Sequence, residues 1–137
     1  MAPRHSTARY HKTRHDHASE TAEDYVEAIH DLVEEEGYCR VTTLATRLGV
    51  SHVTVSRTVA RLCNEGLATT APYQPISLTE RGRELAEWSR RRHQLVQSFL
   101  LRIGVPESDA GKDAEGIEHH CSPATLKAMK RFLKEHR

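Results

Sequence analysis

Apolar residues along this chain of 137 residues recur at helical spacing in most stretches and look strand-like in only one short region. Between residues 21 and 36, Tyr25, Ala28, Ile29, Leu32 and Val33 repeat every three or four residues. That spacing predicts a helix with Thr21 as its N-cap and Gly37 as its stop. Residues 41–48 predict a second, short helix beginning near Thr42. Gly49-Val50-Ser51 then forms a compact turn, with Ser51 capping a third helix whose inward positions are Val55, Val59 and Leu62. After Gly66, the runs Leu67–Ala71 and Ile76–Leu78 flank Pro72-Tyr73-Gln74-Pro75 and predict a β-hairpin with a proline-bounded tip. Thr79 opens a long helix carrying Leu85, Trp88, Leu95, Val96, Phe99, Leu100 and Ile103 as far as Gly104. A fifth helix follows Pro106 and runs to about His120. Ser122-Pro123 starts a last one with Leu126, Met129, Phe132 and Leu133.

A helix–turn–helix followed by a hairpin is the pattern of a winged helix, a DNA-reading module. The fold class expected is mainly α, with an N-terminal winged helix–turn–helix domain over residues 20–83, and a small β-hairpin as its wing. A long helix links it to a helical region over residues 84–137. Residues 1–19 are polar, rich in Arg and His and without apolar period, so a disordered basic tail is expected there. Its histidines His5, His11, His15 and His17 read as a solvated tract.

The formal net charge of +1 conceals segregation along the chain. Met1–Arg14 has four Lys/Arg and no acid, Asp16–Gly37 has nine acids and no Lys/Arg, and Arg40–Arg83 has six Arg against two Glu. Such blocks separate a cation-attracting stretch from a phosphate-attracting one. The sequence contains no run of about 18 apolar residues and no apolar export signal, so no membrane partner and a cytoplasmic location are expected. Cys39, Cys63 and Cys121 are odd in number and lack CxxC spacing, which argues against disulfides and a structural zinc site.

In the third helix, His52, Val53, Ser56 and Arg57 face away from the apolar stripe, near the end that reaches base edges. Arg57 suits guanine, and Val53 a thymine methyl. Ser51, Thr54, Thr58, Arg47 and Arg61 are placed for phosphates, and Tyr73 and Gln74 at the wing tip for the backbone or minor groove.

Glu115, Glu118 and His119 stand at i, i+3 and i+4, and share a face if one helix carries them. Asp24 and Glu27 repeat a one-turn carboxylate spacing near the other end, and His93 lies mid-helix between them. Four carboxylates and two imidazoles with no thiolate suit Mn(II) or Fe(II) better than a soft cation. Six donors can serve two cations per subunit if Glu27 and Glu118 bridge. His30, His120 and Cys121 are left outside this set.

Three segments, Ala22-Glu23-Asp24-Tyr25-Val26-Glu27, the Thr54–Leu62 helix and Asp113–His120, resemble the manganese-responsive branch of the diphtheria-toxin-repressor class of bacterial metalloregulators, a resemblance that extends from Ala22 to the C-terminus. It implies that the second region is an α-helical dimerisation domain and that the protein is a homodimer binding a palindromic operator in double-stranded DNA. It implies Mn(II) ligands at Asp24, Glu27, His93, Glu115, Glu118 and His119, and repression of manganese-uptake genes by a protein that is no enzyme. Glu115 stands where the iron-responsive branch has cysteine, although an Fe(II)-responsive regulator is an alternative. Two further alternatives are a winged-helix regulator of an organic ligand and a dinuclear-metal enzyme. The second follows from Glu27-Ala28-Ile29-His30, whose ExxH spacing a di-iron bundle would need twice; the matching segment reads Glu115-Gly116-Ile117-Glu118.

Overall fold

The computed structural model describes residues 18–137, which divide into two compact units, one running to Glu87 and the other from Trp88 to Arg137. In chain order the elements are α1 (Ala2–Glu36, described from Ala18), α2 (Val41–Leu48), α3 (His52–Asn64), β1 (Ala68–Thr69), β2 (Ser77–Leu78), α4 (Glu80–Arg102), α5 (Glu107–Ile117), a 3-10 turn (Glu118–His120) and α6 (Pro123–Glu135). The tail expected over residues 1–19, with His5, His11, His15 and His17, lies outside the described residues except for Ala18 and Ser19. Those two are helical, so Thr21 sits inside α1 and is not its N-cap.

The first unit is built on a stripe of α1 that buries Ala22, Tyr25, Val26, Ile29 and Leu32, at spacings of three and four. Val26 is fully buried, whereas Val33, expected inside, is 38% exposed and lines a shallow groove with His30 and Leu78. Against the stripe pack Leu44 and Ala45 of α2, Val55, Val59 and Leu62 of α3, and Leu67, Ala68 and Ile76 of the wing. Gly49 ends α2 at φ +67, a left-handed conformation costly for other residues. Its N–H donates to Thr46 O and that of Val50 to Ala45 O, which closes the helix end. Ser51 then caps α3 by accepting from Thr54 N at 3.1 Å.

The wing is shorter than its sequence suggests. β1 and β2 pair antiparallel with Ala68 opposite Leu78 and Thr69 opposite Ser77, and Ile76 also donates to Cys39 O at 2.8 Å. Pro72 and Pro75 offer no N–H to a ladder, which leaves the tip as a turn with Tyr73 at φ +63.

Thr79 fixes where α4 begins, donating from Oγ1 to Gly66 O at 2.7 Å and accepting from Gly82 N at 3.1 Å. Gly82 lies so close to the base of the wing that a Cβ there would stand 2.0 Å from Leu67 O. Beyond that contact, α4 buries Ala86, Ser89, Arg92, Val96 and Leu100. Trp88 and Ile103, expected on the inner face, are 43% and 53% exposed, because the buried stripe is offset by one residue and runs through polar side chains.

In the second unit Val96 and Leu100 of α4 pack on Ala110 and Ala114 of α5, supported by Phe99, Leu126 and Met129. Phe99 meets Phe132 of α6 edge-on at 5.4 Å, and Ser122 caps α6 with Pro123 in its first turn. α5 stops at Ile117, so the expected continuous helix to His120 ends in a 3-10 turn. Among the described residues no helix is long and apolar enough to cross a membrane.

Gly82→Ala should destabilise the protein by about 3 kcal/mol or more, since the obstacle is a backbone carbonyl with no rotamer to yield. Urea unfolding monitored by circular dichroism measures it, and a change below ~0.5 kcal/mol would contradict the close approach of α4 to the wing.

Candidate metal centre and nucleic-acid interface

The small side chains Ala110 and Ala114 let α5 come close to α4, and the 3-10 turn that follows presents Glu118 and His119 toward the polar part of the buried α4 stripe. Glu118 is 3% exposed. Its Oε2 lies 2.9 Å from His93 Nδ1, and its Oε1 lies 3.6 Å from His119 Nε2 and 3.9 Å from Arg92 Nη2. Arg92 also approaches His119 Nδ1 at 3.0 Å, with its guanidinium carbon 4.4 Å from the centre of the Trp88 ring. The side chains of Arg92, Glu118 and His119 are each about 4% exposed, and His93 is a quarter exposed.

Burial pushes the Glu118 carboxyl above the ordinary glutamate range, opposed by the positive charge that His93, Arg92 and His119 can carry. A buried carboxylate flanked by two imidazoles is a nitrogen–oxygen donor set, and it fits a borderline divalent cation. The other expected ligands are less buried. Glu115 is exposed on α5, one turn before Glu118. On α1 in the first unit, Asp24 is exposed and Glu27 half-buried, one turn apart. The structure thus brings together His93, Glu118 and His119 within one unit. The three cysteines are free thiols; burial pushes Cys39 up to about 11, and Cys121 is raised in the same way.

Sequence reasoning passed over Arg92, because Arg90-Arg91-Arg92 looks like a uniformly solvated basic run. The signal was its spacing: Arg92 is i+3 from Ser89 and i−4 from Val96, on the stripe that is buried.

On the reader, His52, Val53, Ser56 and Arg57 are exposed along α3, with Val53 at 61%. Thr54 and Arg61 are also exposed, and Thr58 is half-buried. Ser51 Oγ is occupied as the cap of α3, bonded to both Thr54 N and Thr54 Oγ1. Arg47 forks onto Glu35 of α1, its Nη1 reaching Oε1 at 3.3 Å and its Nη2 reaching Oε2. This pairing holds the Glu35 carboxyl below its usual range and raises Arg47, so a phosphate would have to compete for that guanidinium. Arg61 lies 3.9 Å from Glu65. Tyr73 stands wholly exposed at the wing tip and, with Gln74 and Ser56, lines a groove of about 460 Å³ between wing and α3. Arg40 lines it too, brought there by the Cys39–Ile76 bridge, a pairing with no signature in local sequence.

Residues 17–76 match the family described as "Iron dependent repressor, N-terminal DNA binding domain", and residues 79–137 match "Iron dependent repressor, metal binding and dimerisation domain". The chain is 44% identical over 127 residues to the transcriptional regulator MntR of Escherichia coli, covering 93% of this chain and 82% of that one. It is 40% identical over 100 residues to the HTH-type transcriptional regulator MntR of Geobacillus kaustophilus, covering 73% and 71%. Among solved structures it resembles the manganese regulator SloR with a TM-score of 0.72 and 29% identity, over 82% of this chain and 53% of that one. The chain therefore spans about half the length of that structure.

The raised carboxyl of Glu118 sets a pH trend in metal-free protein. A group whose folded pKa exceeds its unfolded value contributes stability below the unfolded pKa, and that contribution is lost as pH rises through the folded pKa. Wild type should therefore lose ground to Glu118→Gln as pH rises from about 4, the ordinary glutamate range, toward neutrality. Melting temperatures of the two proteins across that range measure it, and a wild type that gains ground instead would show that the flanking cations outweigh burial.

Proposed function

Given that the chain belongs to the iron-dependent repressor family, the diphtheria-toxin-repressor class of metal-responsive transcriptional regulators, we propose that it is a manganese-dependent repressor whose ligands come from both of its units. The carrying observation is the buried Glu118 carboxylate between His93 and His119, a donor set without thiolate in the half that matches the family's metal-binding and dimerisation domain. Asp24 and Glu27 on α1, with Glu115, complete the proposed set, and Glu27 and Glu118 are the carboxylates suited to bridge if two ions bind per subunit. When bound, the divalent cation supplies the positive charge that lets these carboxylates share one site.

The residues divide the work. Glu118, His93 and His119 are held by α4 and the 3-10 turn. Asp24 and Glu27 ride on the helix whose inner face is the core of the DNA reader. Ligation by both sets restrains the reader relative to the dimerisation half. In a homodimer it thereby fixes the separation of two α3 helices near one turn of DNA, about 34 Å, or a multiple of it. A palindromic operator is the matching target. A coupling of about 1–3 kcal/mol between metal and DNA strengthens operator binding roughly 5–150-fold, and DNA tightens metal binding by the same factor.

On α3, Arg57 is the candidate for guanine and Val53 for a thymine methyl. Ser51, Thr54, Thr58 and Arg61 stand toward phosphates, with Arg47 joining them if it leaves Glu35. Tyr73 and Gln74 extend the footprint from the wing. Glu115, in place of a thiolate, favours Mn(II) over softer cations.

The test is a gel shift with a palindromic duplex selected from random DNA in the presence of Mn(II), using wild type and Glu115→Ala with and without metal. Wild type should bind at least about fivefold tighter with Mn(II), and Glu115→Ala should lose most of that gain; equal binding in all four samples would overturn the proposal. On the same duplex Arg57→Ala should cost about 1–3 kcal/mol and relax specificity at one base pair. A loss uniform across sequences would make Arg57 a phosphate contact.

A further inference from the structure

We propose that Arg92 is an internal competitor of the metal: in the metal-free protein its guanidinium occupies His119 and Glu118, and it must release His119 before that ring can ligate a cation. The inference rests on Glu118 and His119 being metal ligands. Arg92, Glu118 and His119 all lie in the second unit, and each side chain is about 4% exposed. A cationic side chain this deeply buried beside a carboxylate needs a partner, and Arg92 has Glu118 Oε1 at 3.9 Å and His119 Nδ1 at 3.0 Å. Its other face stacks on Trp88, 4.4 Å from the ring centre, which holds the guanidinium at the site without satisfying its N–H groups.

The chemistry of the 3.0 Å contact forces the exclusion. Guanidinium nitrogens only donate, so Nδ1 of His119 must accept, and the ring proton sits on Nε2, the atom facing Glu118 at 3.6 Å. A cation taking Nδ1 displaces Arg92 directly. A cation taking Nε2 requires the ring proton to move through solvent to Nδ1, where it would meet the guanidinium donor against donor. Whichever nitrogen ligates, Arg92 lets go. The same charge that stabilises Glu118 without metal therefore opposes metal entry. A neutral, apolar side chain of similar length should raise metal affinity while weakening the metal-free fold.

The experiment is calorimetric titration of the full chain, stripped by chelator, with Mn(II), comparing wild type, Arg92→Met and Glu118→Gln. Expected are about tenfold tighter binding by Arg92→Met, from removal of one nearby positive charge, and loss of binding by Glu118→Gln. If Glu118→Gln loses Mn(II) while Arg92→Met binds equally or more weakly, competition by Arg92 is overturned and the ligand assignment stands. If Glu118→Gln binds as wild type does, the ligand assignment fails and takes the inference with it. Wild type supplies a readout independent of any variant's folding. Nitrogen-15 spectra of the metal-free chain should place the His119 ring proton on Nε2, and a proton on Nδ1, in a neutral or a charged ring, would overturn the proposal.

Discussion

Burial of the Glu118 carboxylate is the constraint around which the second unit is arranged. An ionised carboxylate withdrawn from water is costly unless compensating charge stands within a few ångströms. The chain supplies that compensation from α4 through the Arg92 guanidinium, with the His93 ring beside it, and the neighbouring position sets the His119 ring against the same carboxylate. The small alanines of α5 follow from this need, because a bulkier face would hold the 3-10 turn away from α4. Arg92 on the inner stripe follows too, since an apolar side chain there would take a cationic partner from Glu118. The charged cluster around Glu118 and a packed core here share one helix face.

The first unit answers to a different demand. Its helices bury one apolar face each and leave the outer face of α3 and the wing tip to solvent, where DNA can be met. α4 begins under tight restraint at Thr79 and Gly82, so the helix leaves the wing from a fixed position.

Much of this was legible in the sequence, and the failures have physical causes. Ser51, Gly49, Gly37 and Ser122-Pro123 marked helix ends correctly, since caps and left-handed glycines are local chemistry. The hairpin was legible from its prolines, yet its ladder proved shorter because those same prolines withhold donors. Thr21 looked like a cap only because the helix was taken to start where apolar periodicity starts, and α1 is already helical before it. Trp88 and Ile103 were taken as inner residues on hydrophobicity alone, while Ser89 and Arg92 hold those places. Arg92 was passed over because a run of three arginines looks solvated, although its spacing from Ser89 and Val96 put it on the buried stripe. The closeness of His93, Glu118 and His119 was anticipated from donor chemistry and family resemblance, whereas the fork of Arg47 onto Glu35, and Arg40 beside the wing, depend on tertiary contacts that spacing does not encode.

What remains most open to direct test is where the cation sits. Anomalous scattering at the manganese edge, from crystals grown with Mn(II), locates it without reference to activity. A peak within bonding distance of the Glu118 carboxylate and an imidazole of His93 or His119 is the expected result. A manganese peak remote from Glu118, with His93 and His119 still paired as they are without metal, would contradict the assignment.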